Sequence, residues 1–242
     1  MRVAVISDIH SNLHALEAVL ADIQAEAPDE VWCLGDIVGY GAQPNECVDA
    51  VRETAQLSLC GNHDLAVLGT IDVAAFSGDA GAAARWTRTV LGDSQAEWLG
   101  ALKPTADRVG VQLFHGSPRD PVWDYVLSEE IAKECILQTT APLLLVGHSH
   151  VALALRWDGG QMSGGLAPAA TEVDLARGRF VLNPGSVGQP RDGDPRAAWL
   201  LIDEETGRAA FRRVPYPIAQ AQVAIRACGL PEGLAARLAH GA

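Results

Sequence analysis

Hydrophobic and polar positions along the chain switch between two periods, and the switch points mark its elements. Residues 2–6 are a short β-branched run that predicts a strand. Over residues 12–27, Leu13, Leu16, Val19, Leu20 and Ile23 share one helical face, and Pro28 ends the segment. Glu30–Leu34 reads as a second strand, Pro44–Thr54 as a helix and Gln56–Cys60 as a third strand. This β-α-β-α-β rhythm predicts a parallel sheet with right-handed crossovers. Ligands of such sheets sit just beyond the carboxyl ends of the strands.

The periodicity of residues 64–102 is helical, and Ser94-x-x-Glu97 has the form of a capping box for its last piece. Val111–His115 predicts a strand, Ser128–Gln138 a helix and Leu143–Gly147 a strand. The pattern then changes. Ala152–Trp157, Thr171–Leu175, Arg179–Leu182, Ala197–Asp203 and Arg208–Val214 are short alternating runs separated by Gly, Asp and Pro turns, which predicts an antiparallel second sheet. Pro215 and Pro217 introduce a helical tail over about residues 215–242. No repeat or low-complexity linker divides the chain, so one domain over 1–242 is expected.

Composition narrows the class. With 48% hydrophobic and 20% charged residues the chain can bury a substantial core, which excludes disorder. No apolar run approaches the roughly 18 residues needed to cross a bilayer. Asp8 arrives too early for a signal peptide, so a cytoplasmic protein is expected. Five cysteines without a C-x-x-C pair predict reduced, buried thiols, Cys33 and Cys60 among them. The net charge of −12 disfavours a long nucleic-acid groove. The helical insertion carries Trp86 and Trp98, read as core residues or a lid. A homo-oligomer has no support in the sequence.

The chemistry lies in where the polar residues fall. The predicted strands end in Asp8-Ile9-His10, Gly35-Asp36, Gly61-Asn62-His63-Asp64, His115-Gly116 and Gly147-His148-Ser149-His150. By chance a G-H-x-H is expected roughly 0.02 times and a G-N-H-D roughly 0.001 times in such a chain. Asp, His and an Asn carbonyl form a mixed N/O set suited to Mn, Fe, Zn, Co or Ni. A carboxylate can bridge two such ions, and a water between them becomes a hydroxide able to attack phosphorus in line. Two divalent ions outweigh two carboxylate ligands, so the site would attract an anion despite the protein's negative exterior.

D-x-H, G-D, G-N-H-D, H-G and G-H-x-H in this order resemble the calcineurin-like metallophosphoesterase superfamily. The resemblance implies a four-layer α/β/β/α sandwich, with a largely parallel first sheet and a more antiparallel second one. It implies that Asp8, His10 and His150 hold one ion, that Asn62, His115 and His148 hold a second, and that Asp36 bridges them. His63 would donate a proton to the leaving oxygen or stabilise the transition state, with Asp64 orienting it. Tyr40, Arg119 and Arg191 are candidate substrate contacts, the arginines because a planar guanidinium matches phosphate oxygens. Asn12 and His14 are read as a helix cap and a solvated position.

The loop Gly35-Asp36-Ile37-Val38-Gly39-Tyr40-Gly41 lacks the Asp-Arg pair of the phosphoprotein phosphatases in this superfamily. The chain is closer to its small prokaryotic phosphodiesterase-like branch, as are the runs His115–Arg119 and Asn183–Arg191. The implied function is a dinuclear, manganese-type phosphohydrolase acting on small phosphoesters, with phosphodiesters favoured. It would use a metal-bridging hydroxide as nucleophile and His63 as general acid. The alternatives are a non-catalytic interaction module on the same fold and a phosphoprotein phosphatase.

Overall fold

The computed structural model describes residues 1–76 and 78–242. The β-branched run at the start forms β1 (Arg2–Ile6), followed by α1 (Leu13–Glu26), β2 (Glu30–Cys33), α2 (Pro44–Thr54) and β3 (Leu57–Ser58). Asn12 caps α1: its Oδ1 accepts the Ala15 N–H at 3.2 Å. Three helices follow: α3 (Asn62–Leu68), α4 (Gly78–Val90) and α5 (Asp93–Gly100). Trp86 and Trp98 pack against the core here, as expected, and do not form a lid. The expected Ser94 capping box does not form. The chain is anchored earlier, where Asn45 Oδ1 accepts the Gly92 N–H at 2.8 Å, so α5 begins at Asp93 and Ser94 falls inside it.

The second half contains β4 (Thr105–Arg108), β5 (Val111–Phe114), α6 (Glu129–Leu137), β6 (Leu143–Val146), β7 (Ala152–Asp158), β8 (Gln161–Leu166), β9 (Glu172–Asp174), β10 (Arg179–Pro184), β11 (Ala197–Asp203), β12 (Arg208–Val214), α7 (Ile218–Ala227) and α8 (Glu232–Ala236). The exposed β4 and the glycine-rich β8 carry no apolar alternation and gave no strand signal.

Two six-stranded sheets result, in the orders β3-β2-β1-β11-β12-β9 and β4-β5-β6-β10-β7-β8. β1, β2 and β3 pair in parallel, as the early rhythm predicts. The strands after residue 152 do not keep to one sheet. β11, β12 and β9 extend the first sheet antiparallel from β1, whereas β10 joins β6 in parallel and leads to β7 and β8. Alternation alone gives a strand its faces but not its neighbours, which long-range pairing selects.

The layers follow from period two. Ala4 and Ile6 of β1 face α1, α2 and α7, while Val3 and Val5 face the second sheet. Leu143 and Leu145 of β6 meet them from across the sandwich, and Leu144 and Val146 turn outward onto α6. The expected α/β/β/α order is thus built on three apolar contacts. Both sheets point the carboxyl ends of their parallel strands toward one rim.

Candidate metal centre

Five polar segments meet at that rim, one beyond each of β1, β2, β3, β5 and β6. Reaching it strains the backbone. Asp8 (φ 54°), His10 (52°), Asp36 (50°), His148 (63°) and His150 (60°) all adopt left-handed conformations that non-glycine residues seldom take. Gly61 sits where a Cβ would collide with the Asp36 carboxylate and lie 2.5 Å from the His115 ring, so only glycine fits. The run Asn183–Arg191 clamps the rim from behind. Asn183 donates to the Gly147 carbonyl at 2.8 Å, and Ser186 donates to the Asp8 carbonyl at 2.7 Å.

Every proposed ligand is buried. The Nδ1 atoms of His10, His115 and His150 face the carbonyls of Val38, Leu34 and Gln189 at 3.1, 2.9 and 2.7 Å. These bonds place the proton on Nδ1 and leave each Nε2 as a lone pair facing inward. The inward atoms then crowd one another. His10 Nε2 lies 3.0 Å from His150 Nε2, and His150 Nε2 lies 3.3 Å from Asp8 Oδ1. His115 Nε2 lies 3.3 Å from Asn62 Oδ1 and 3.2 Å from His148 Nδ1. Asp36 Oδ2 stands between the two sets, 3.5 Å from His10 Nε2 and 3.5 Å from His115 Nε2.

Acceptors facing acceptors in a buried space repel unless a cation lies among them. Among the described residues Asp8 Oδ1 and Asp36 Oδ2 have no hydrogen-bond partner. Two groups of donor atoms among the described residues are compact enough to hold an ion: Asp8, His10, Asp36 and His150, and Asp36, His115 and His148, with Asp36 common to both. The donor set therefore fits divalent metal. Without an ion the groups resist charge. Burial, partly offset by His115, pushes Asp8 up to about 7. Burial, reinforced by Asp64, raises Asp36 well above the usual carboxylate range. Burial also lowers His10 and His150 well below the usual imidazole range and takes His148 down to about 2.

His63 sits beside the cluster and not in it. Its ring packs 4.4 Å from Tyr40, 4.7 Å from Phe76 and 4.8 Å from His10 by ring centres, and among the described residues its Nδ1 has no partner. Burial, and then the Arg191 cation, take its pKa down to about 3. Asp64 does not orient this ring. Its Oδ1 accepts the N–H groups of Ile37 and Val38 at 3.0 Å each, and its Oδ2 accepts that of Gly61 at 2.9 Å. It ties the Asp36 loop to α3, and edge-on and tilted ring contacts, not a carboxylate, position His63.

Of the candidate substrate contacts, Tyr40 and Arg191 line the cavity above the cluster, a space of about 170 Å³. Arg191 Nη2 donates to the Tyr40 hydroxyl at 3.3 Å. Arg119 does not reach it. Its guanidinium pairs with Glu134 at 2.7 Å and lies 3.4 Å from Asp124. Phe76, Trp123 and Tyr125 complete the walls, and Tyr125 stacks on His148 with ring centres 4.2 Å apart. Those aromatics were not expected. Their one sequence signal is that Trp123 and Tyr125 follow His115-Gly116 in a segment without strand or helix periodicity.

The calcineurin-like phosphoesterase superfamily domain matches residues 1–207. The chain belongs to the calcineurin-like phosphoesterase superfamily. Within it, an uncharacterised protein of Methanocaldococcus jannaschii is 37% identical over 244 residues, covering 99% of this chain and 98% of that one. The crystal structure of a metallophosphoesterase from Sphaerobacter thermophilus is 41% identical with a TM-score of 0.91, covering 100% of this chain and 99% of that one. A symmetrical bis(5'-nucleosyl)-tetraphosphatase of Actinobacillus pleuropneumoniae is 34% identical over 74 residues, 29% of this chain and 27% of its own length. The superfamily domain's boundary at 207 leaves β12, α7 and α8 outside the matched region. Among the described residues, no helix of this phosphoesterase-superfamily chain is long and apolar enough to cross a membrane.

Proposed function

We propose that this chain is a dinuclear metal-dependent phosphohydrolase of small phosphoesters, with phosphodiesters among its substrates. The observation that carries the reading is Asp36 Oδ2, an orphaned carboxylate oxygen equidistant from the imidazoles of two lone-pair clusters. Asp8, His10, Asp36 and His150 would hold one ion, and Asp36, Asn62, His115 and His148 the other. When bound, such ions neutralise phosphate oxygens and acidify water.

The protein's own residues supply the rest. His63 presents an imidazole to the cavity's edge, and as an N–H donor it assists the leaving oxygen. Burial and Arg191 strip this ring of its second proton, and an incoming anion restores the tendency to hold it. Tyr40 and Arg191 contact the substrate beside the reacting phosphoryl group, and Phe76, Trp123 and Tyr125 limit water. A space of about 170 Å³ holds a phosphoryl group and little more, so the remainder of the substrate lies outside it. The short likeness to a bis(5'-nucleosyl)-tetraphosphatase supports a substrate with several phosphates.

Metal analysis of the purified protein, joined to a phosphoester panel run with Mn, Fe, Zn, Co and Ni, tests the reading. We expect two ions per chain and turnover of an aryl phosphodiester. Metal-loaded protein inert toward diesters and monoesters alike would overturn it.

A further inference from the structure

Most arginines of this acidic protein are neutralised where they stand. Arg2, Arg52, Arg119, Arg156, Arg196, Arg208, Arg212, Arg213 and Arg226 each pair with a carboxylate. Arg179 is wrapped by the carbonyls of Ile136, Thr139 and Ala141. Arg88 likewise donates to the carbonyls of Val67 and Ala66, and Arg108 to that of Asp107. Arg191 and Arg237 differ in being held against each other. Arg191 Nη2 and Arg237 Nη1 donate to the same neutral atom, Gln189 Oε1, at 3.0 and 3.2 Å. Among the described residues neither guanidinium has a carboxylate partner, and the buried Arg237 Nε has no partner at all.

Two cations held across one amide oxygen repel each other, so the arrangement favours an anion beside them. The fold spends local structure to build it. Gln189 is buried, and its backbone carbonyl fixes the ligand His150. Arg237 arrives from just beyond α8, a segment outside the superfamily match. A hollow of about 550 Å³, lined by Tyr40, Asp79, Ala80, Arg191, Arg237 and Ala242 among others, opens beside the pair. It shares Tyr40, Ala80 and Arg191 with the cavity over the metal cluster, so the two form one groove.

We infer that Arg191 and Arg237 form a subsite for a second phosphate group of the substrate, distinct from the phosphoryl group at the metal cluster. One guanidinium satisfies a carboxylate in bidentate fashion, whereas two converging guanidiniums match the several oxygens of a phosphate. The substrate class is then a small phosphoester bearing a further phosphate, such as a nucleoside bisphosphate or a polyphosphate chain. This rests on the phosphohydrolase reading for which end of the substrate reacts. It does not rest on it for binding.

Calorimetric titration of metal-loaded protein with adenosine 3',5'-bisphosphate and with adenosine 5'-monophosphate tests it. The wild type binds the bisphosphate about 10- to 100-fold more tightly, the loss expected for one charge-assisted contact. Arg237→Ala abolishes that preference, and Arg237→Lys recovers part of it, with melting temperatures confirming that both variants fold. The same pair of variants is assayed for the ratio of kcat/KM on thymidine 5'-(p-nitrophenyl phosphate) with and without a 3'-phosphate. A wild type without preference, or an Arg237→Ala protein that keeps it, overturns the subsite. Preferential binding without hydrolysis of any phosphoester upholds the subsite and sinks the phosphohydrolase reading instead.

Discussion

Two hollows lie at opposite ends of the first sheet, and the larger is the less informative. A space of about 760 Å³ opens where α1 ends and β2 begins, lined by Leu20, Gln24, Pro28, Glu30 and Gln56 among others. The cavity of about 170 Å³ lies at the carboxyl ends of the strands. Among the described residues, none of the polar atoms orphaned by burial lines the larger space, whereas Asp36, His63 and His148 each leave one at the smaller. At the large hollow one residue, Ala27, has a left-handed backbone, and it serves as the C-cap of α1. At the small one Asp36, Tyr40, His148 and His150 are left-handed, and three of them carry the clustered donor atoms. Unmet lone pairs and strain without a packing purpose identify a site better than volume does.

The strongest test of this contrast removes the atom common to both clusters. Asp36→Asn should lose at least one ion from each chain by metal analysis and lower turnover by at least about 10³-fold. Retention of two ions and full turnover would show that the clusters are independent of it. Next, His63→Ala should keep the metals and lower kcat by about 10²- to 10⁴-fold, the range of a lost acid–base partner. Undiminished turnover would assign that ring to packing alone.

Acidity separates the hollows more gently. Burial keeps the proton on Asp8 up to about pH 7 in the folded, ion-free protein, well above the ordinary carboxylate range it returns to when unfolded. A carboxylate raised in this way supports the fold when protonated, and that support is lost as pH rises through 7. An entering ion displaces this proton, so metal should raise the melting temperature more at pH 8 than at pH 5.5. Each proton displaced per pH unit is worth about 1.4 kcal/mol, or about 3–6 °C in a chain of this size. Equal metal-induced shifts at the two pH values would refute the coupling. The smallest effect belongs to the large hollow. Gln24→Ala should leave turnover intact and stability within about 0.5 kcal/mol, as for an exposed surface position. A loss of turnover there would mean that volume was the better guide after all.

Much of this was legible in the residue pattern, and the exceptions share a cause. β1, α1 and α2 stand within a residue of their expected bounds, because periodicity, Asn12 and Pro44 act over a few positions. The meeting of Asp8, His10, Asp36, Asn62, His115, His148 and His150 followed from their placement at the ends of parallel strands. The resemblance implies that Asp64 orients His63, but its carboxylate reaches three backbone amides instead. Ser94 was read as a cap because its spacing was right, and a contact from Asn45 moved the helix start.

The sequence by itself determined which residue types stand at each strand end, and so the metal chemistry that end can perform. Strand direction, side-chain alternation and glycine turns are local consequences of neighbouring residues, which is why they can be read one segment at a time. Only the tertiary structure decided which cations stay free. Arg119 and Arg191 each follow a proline by one residue, yet Glu134 and Asp124 neutralise the first while Gln189 holds the second toward Arg237. The partners of a long charged side chain come from other elements of the fold. No pattern along the chain specifies them before the layers are stacked.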